Sequence, residues 1–173
     1  MKNIIRKLLR ESSNEKFYSR TIDSIRSGKI KPPYFKYLKN IGLERHEIIR
    51  ILQKFFNGAA YTSEWGGAVE DKNGNMLYHE QEGNWELKKY DERGNEIYFE
   101  LFDGFWRKTE YNEQNLETYR EDSDGVWRKT EYNEQNLETY REDSDGFWRR
   151  TEYDKYGDVI YQENNGGILI DER

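Results

Sequence analysis

No cysteine occurs in the 173 residues, so neither a disulfide nor thiolate chemistry is available to this chain. A reducing cell interior suits such a composition. Only two prolines and two histidines are present. The histidines, His46 and His79, lie far apart with no metal-ligand spacing, so the sequence implies no metal site and no nucleophile–base pair. No glycine-rich phosphate loop is found. No apolar run approaches the roughly 20 residues that span a bilayer, so no membrane span is expected. The opening "MKNIIRKLLRESS" lacks a long apolar stretch and a small-residue cleavage site, and it reads as mature protein. No catalytic residue, metal or cofactor is therefore expected, and the expectation is a non-enzyme.

Hydrophobic residues are also scarce, at 34% against 36% charged. That balance alone would favour disorder. An aromatic content of 16%, with 14 tyrosines and 5 tryptophans, argues for order instead. Such rings bury large area while keeping a polar edge wet. Charge divides sharply along the chain. Residues 1–57 hold 14 Lys and Arg against 5 Asp and Glu, whereas the remainder holds 14 against 29. All five tryptophans fall in the acidic part. Two regions with different partners are implied: a basic helical domain over 1–58 and an acidic aromatic domain over 59–173.

The acidic part is a repeat. Twenty residues, "WRKTEYNEQNLETYREDSDG", run from Trp106 to Gly125 and return unchanged from Trp127 to Gly146. Tryptophans stand at 65, 85, 106, 127 and 148, spaced by 20 or 21 residues, the mark of a tandem array. Each unit reads as a β-hairpin. "WRKTEY" is a strand and "LETYRE" its partner. The turns Asp91–Gly94, Asn112–Asn115 and Asp154–Gly157 open on a residue that bonds its own backbone and close on one that accepts positive φ. A second turn, "DSDG" or "LFDG", leads to the next tryptophan. The fold class expected is α+β: a small N-terminal helical domain, then an antiparallel meander of about five hairpin repeats in an open, single-layer sheet.

Side chains alternate along a strand, so faces can be assigned. With Tyr111 opposite Leu116, one face carries Trp106, Lys108 and Glu110 beside Glu117, Tyr119 and Glu121. Stacked repeats then align Trp85, Trp106, Trp127 and Trp148 in one column and Tyr98, Tyr119, Tyr140 and Tyr161 in the next. These residues, with Glu117 and Glu138, are the expected binding face. Tyr90, Tyr111, Tyr132 and Tyr153 line the opposite face. Cross-strand pairs of this kind contribute about 0.2–1 kcal/mol each. Because a repeat unit contacts mainly its neighbours, a copied unit adds a rung without disturbing a core. A unique active site gains nothing from duplication; an extended binding surface or a spacer does. "EDSDG" echoes a calcium loop through Asp122, Asp124, Gly125 and Glu131, but Arg120 occupies the first ligand position, which favours a plain turn with a bulge glycine.

"YDERGNEIYFELFDG" and "YDKYGDVIYQENNGG" resemble the YD repeat of the RHS family, over roughly residues 65–168. The two middle copies depart, with Asn for both Asp and Gly. The resemblance implies β-hairpin strips, which in that family wind into shells around toxins; so few units imply no closed shell. The tandem style also resembles repeat proteins of bacteria and their phages, which points to a bacterial cytoplasm or a virion.

In the basic part, "NIIRKLLRE" reads as a first helix and Ser13-Asn14-Glu15 as the cap of a second, with Phe17, Ile22 and Ile25 inward and Gly28 as its stop. "KPPYFKYLKNIG" restarts at Pro33, and "LERHEIIRILQKFFNG" follows with Ile48, Ile51, Leu52 and Phe55 on one face. Residues 34–56 can be read as a DNA-binding helix-turn-helix, with Tyr37, Ile41, Leu43, Ile48 and Ile51 at its apolar spacings. Leu38 is large for that fold, and Glu44 and Glu47 oppose phosphate contact. The cations for nucleic-acid or partner docking are Arg6, Lys7, Arg10, Arg45, Arg50 and Lys54. The acidic repeats should repel nucleic acid.

The leading functional expectation is a non-catalytic interaction module. Its helices dock one partner, and its Trp/Tyr repeats bind a protein with a basic surface. A homo-oligomer is compatible. The rivals are an inhibitor or nucleic-acid mimic acting on a host defence protein, a virion-associated structural protein, and DNA binding through residues 34–56.

Overall fold

The computed structural model describes the backbone of residues 2–173 and the side chains of residues 14–173. Three helices come first: α1 (Lys2–Arg26), α2 (Tyr34–Asn40) and α3 (Arg45–Phe56). Twelve strands follow: β1 (Ala59–Thr62), β2 (Gly66–Glu70), β3 (Met76–Gln81), β4 (Asn84–Tyr90), β5 (Glu96–Leu101) and β6 (Trp106–Tyr111), then β7 (Glu117–Asp122), β8 (Trp127–Tyr132), β9 (Glu138–Asp143), β10 (Trp148–Tyr153), β11 (Val159–Asn164) and β12 (Gly167–Asp171). They form one open antiparallel sheet in strict chain order, as expected of tandem hairpins. No described helix is long and apolar enough to cross a membrane.

The chain divides into two compact units, Met1–Leu87 and Lys88–Arg173. In the first, the apolar stripes of the helices find their cover within the chain, as far as the described side chains reach. Tyr18, Ile22 and Ile25 of α1 join Tyr34, Phe35 and Leu38 of α2 and Ile48, Ile51 and Leu52 of α3 in one core with Ala60, Val69 and Tyr78 of the first strands. Leu38, Ile51 and Leu52 are fully shielded, and each such side chain contributes about 1.5–3 kcal/mol. Helices of this length need such a surface, because isolated helices are marginal in water.

Three expectations for the helices are corrected. The segment 2–26 is one helix and not two: Ser12, Ser13 and Asn14 are helical, since none of them breaks a helix as Pro or Gly would. Phe17 faces solvent at 42% exposure, and Tyr18 takes the inward position, with its hydroxyl donating to Glu47 Oε1 at 2.9 Å. The helix-turn-helix spacing also fails. Tyr37 and Ile41 are exposed at 42% and 48%, while Leu38 lies at the centre of the core, because the helices pack on the sheet as well as on each other. Glu44 and Glu47 form a capping box at the start of α3, and Asn57, at φ 54°, ends it one residue before Gly58.

The second unit has almost no interior. Tyr161, Thr109, Thr130 and Thr151 are its buried residues among those described. Its order comes from turns and ladders. Asn112 accepts the N–H groups of Gln114 and Leu116 on Oδ1, and Asn115 closes the turn at φ 62°. Asp91, Asn133 and Asp154 make the same bonds in their own turns.

The register differs from the expected one by a bulge. Tyr111 stands opposite Glu117, but Glu110 stands opposite Tyr119, so Thr118 is an extra residue. The same shift recurs at Glu131/Tyr132 and Glu152/Tyr153. A bulge re-aims side chains and strengthens the local twist. Here it moves Glu117 and Glu138 off the tryptophan face and onto the face of Tyr111, Tyr132 and Tyr153.

Candidate functional site

The bulge leaves two faces of different character on the second unit. Arg128 Nε stands 2.8 Å from Asp143 Oδ1, and Arg141 Nη2 stands 2.6 Å from Asp143 Oδ2. Arg149 Nη2 meets Glu138 Oε1 at 2.6 Å, and Arg120 meets Glu117 at 3.8 Å. Tyr132 and Tyr153 donate hydroxyl bonds to the carbonyls of Glu117 and Glu138, one hairpin back, at 2.9 and 2.8 Å. Burial pushes the Asp143 carboxyl up, but bonds from Arg141 and Arg128 overcome it and hold the group below the usual range. On this face the charges answer one another, and Glu117 and Glu138 are held in ion pairs within the sheet.

The tryptophan face is different. Opposed residues run across the strands as Glu110, Tyr119, Lys129, Glu142 and Trp148, so the rows are oblique to the repeat. One repeat earlier, Tyr98, Lys108, Glu121 and Trp127 follow the same order. Trp106, Trp127 and Trp148 are half-buried, as are Tyr98, Tyr119 and Tyr140. Tyr98 donates to Glu100 at 2.9 Å, Tyr140 to Glu142 at 3.3 Å and Tyr161 to Glu163 at 2.6 Å. Burial and the Glu100 bond push the Tyr98 phenol up to about 12. Lysines lie over rings: Lys108 over Trp106 at 4.8 Å and Lys89 over Tyr98 at 4.9 Å. Cation–π contacts of this kind contribute about 0.5–1 kcal/mol at exposed sites.

Two grooves open on the second unit, one repeat apart. One, of about 610 Å³, is lined by Glu110, Tyr119, Lys129 and Glu131 among others. Its neighbour, of about 580 Å³, is lined by Glu131, Tyr140, Arg150 and Glu152. The structure thus brings Tyr119 and Tyr140 to repeated concavities. Trp106, Trp127 and Trp148 do not line either.

In the first unit the same sheet position serves the interior. Trp85 packs against the helical core, opposite Glu80. Glu80, 2% exposed, accepts the backbone N–H groups of Phe35 and Lys36, both at 2.8 Å, and the Tyr78 hydroxyl at 2.6 Å. Sequence reasoning missed this pair. The signal was present, since Tyr-x-Glu recurs at Tyr78, Tyr98, Tyr119, Tyr140 and Tyr161.

Of the candidate docking cations, Arg45 bonds Thr62, and Arg50 and Lys54 share Glu15. The bond from Lys54 is the largest of the contacts that hold the Glu15 carboxyl low. The side chains of Arg6, Lys7 and Arg10 lie outside the described residues.

No family model matches the chain, and no curated protein does. Among solved structures it is similar to a chain of the Photorhabdus luminescens Tc holotoxin pore, with 19% identity and a TM-score of 0.43, covering 60% of this chain and 6% of that one.

Proposed function

We propose that this chain is a non-catalytic interaction module whose acidic repeats bind a protein with a basic surface. The observation that carries the reading is the repetition of the grooves. Glu110 and Tyr119 line one, and their counterparts Glu131 and Tyr140 line the next, 21 residues on. Duplicated binding elements raise avidity without any new contact. The excess of carboxylates steers a basic partner in, and half-buried aromatic rings beside them supply the anchors. The helices belong to the same reading. Among the described residues their apolar stripes are spent on the chain's own core, and exposed Phe17, Tyr37 and Ile41 are the apolar residues there left for a docking partner. Kinship with the RHS repeats is part of this proposal, and so is a place inside a bacterial host or on a virion.

The test compares the wild-type chain with a Tyr119→Ala, Tyr140→Ala variant as bait in a bacterial lysate. A basic protein retained by the wild type and lost by a folded variant supports the reading. Equal retention by both, or retention of no basic protein, would overturn it.

A further inference from the structure

One position of the repeat occurs three times in this structure in three states of occupation. It consists of a tyrosine and the glutamate directly opposite it on the preceding strand. The pairs are Glu110 with Tyr119, Glu131 with Tyr140, and Glu152 with Tyr161.

At the last pair two arginines of the chain itself meet the site: Arg150, at the position of Lys108 and Lys129, has Nη2 3.2 Å from Glu152 Oε1, and Arg173 joins it. The Arg173 guanidinium lies 3.7 Å from the centre of the Tyr161 ring, and its Nη1 stands 3.9 Å from Glu152 Oε1. At the middle pair a lysine is the occupant. Lys129 Nζ stands 2.6 Å from Glu131 Oε1 and 5.8 Å from the centre of the Tyr140 ring. At the first pair the equivalent lysine, Lys108, is turned away over Trp106 at 4.8 Å. Glu110 is exposed there, and no cation is within ion-pair distance of it among the described residues. The first and middle pairs are identical in sequence from Trp106 to Gly125 and from Trp127 to Gly146. One sequence therefore holds its lysine in two positions, on the glutamate or off it. The first two pairs also line the two grooves, so both can be reached from solvent.

We propose that the Glu110–Tyr119 and Glu131–Tyr140 pairs are arginine-binding sites for a basic partner protein, and that Lys129 is a placeholder which the partner's guanidinium turns aside, as Lys108 is already turned aside. The proposal rests on the function given above and names the chemistry of its partner. Arginine suits the site better than lysine. A planar guanidinium stacks on a phenol ring while its N–H fork reaches the carboxylate beside it, and it sheds water more easily than an ammonium does. Arg173 shows that the repeat geometry accepts a guanidinium over the ring and within ion-pair distance of the glutamate, although its hydrogen bonds go to Asp171. Two sites one repeat apart select a partner that offers two arginines together.

The experiment uses the full chain with an octa-arginine peptide and an octa-lysine peptide as probes, titrated by fluorescence anisotropy at physiological salt. The expected result is roughly threefold to tenfold tighter binding of octa-arginine. Glu110→Gln with Glu131→Gln should remove most of that preference. Glu113→Gln with Glu134→Gln makes the same charge change in the turns and should leave it in place. Tyr119→Phe with Tyr140→Phe, which keeps the rings, should also leave the preference in place. Equal binding of both peptides, or equal loss in the two glutamine variants, would overturn the arginine sites while leaving a basic partner acceptable. Binding of neither peptide would overturn both.

Discussion

The hydroxyl of Tyr132 donates to the backbone carbonyl of Glu117, fifteen residues back, at 2.9 Å. Glu117 is the residue beside the bulge, where the ladder between strands is disturbed. The tyrosine thus ties the strand beside the bulge to the next hairpin, beyond the last paired residues of β7 and β8. Tyr153 repeats the contact on Glu138 at 2.8 Å, and Tyr111 makes a longer one on Glu96 at 3.4 Å.

Replacing Tyr132 with Phe removes this staple and keeps the ring. The expected loss is about 1 kcal/mol of stability, the net contribution of a typical hydrogen bond. Tyr111→Phe should cost less, because its bond is longer. Urea unfolding of the two variants side by side checks the order.

Glu80 is a sharper case. Its carboxylate is buried and takes the free N–H groups of Phe35 and Lys36 in the first turn of α2, while that of Tyr34 goes to the Tyr78 hydroxyl. Glu80→Ala leaves those donors and the Tyr78 hydroxyl proton without an acceptor, while the Tyr78 oxygen still accepts the Tyr34 N–H, at a cost of about 3 kcal/mol or more. Glu100→Ala, at the equivalent position of the next repeat, should cost well under half as much, since its side chain is only half-buried and bonds one tyrosine. Thermal unfolding of the two variants would expose any failure of this contrast.

Removing residues 105–125 should leave a folded protein. Glu100 stands opposite Trp106, and Glu121 stands opposite Trp127 in the same register, so the shortened chain can rebuild the pairing as Glu100 with Trp127. The loss is one unit and one interface of the array. Far-UV circular dichroism and a melting curve decide it; a disordered product would end the array account.

Alkaline pH should weaken the second unit. Tyr98 has its phenol pushed up to about 12 from an ordinary value of 10.0. A group whose folded pKa is raised stabilises fully below its unfolded value and loses that contribution as pH rises through the folded one. The decline attributable to Tyr98 therefore lies between pH 10.0 and about 12. Tyr98→Phe should flatten the stability profile across that window in denaturant titrations at stepped pH.

The architecture was legible because the repeat carries its own punctuation. Asp or Asn opens each turn, Gly or Asn with positive φ closes it, and tryptophan returns every 20 or 21 residues. Those are local preferences, and locality is what a single sequence records. The start of α3 and the inward set Ile48, Ile51 and Leu52 follow from the same local logic. By contrast, Ser13 offered a cap that α1 does not use, because helix end signals are weak beside the continuity of a helical backbone.

What only the tertiary structure decided is the side on which particular residues fall. The bulge at Thr118 carries Glu117 to the arginine face, and a period-2 pattern cannot announce a one-residue irregularity that reverses it. Glu80 and Glu121 occupy one repeat position, yet one is buried beneath a helix and the other lies on a half-open face. Gly67 stands where the later repeats have Lys108 and Lys129, and a side chain there would strike the Phe35 ring. By itself the sequence determined that hairpins repeat and where each one turns, since those choices are made within a few bonds. Which repeats are covered and which stay open depends on packing between residues more than forty positions apart, such as Phe35 and Glu80, and only the folded chain brings these together.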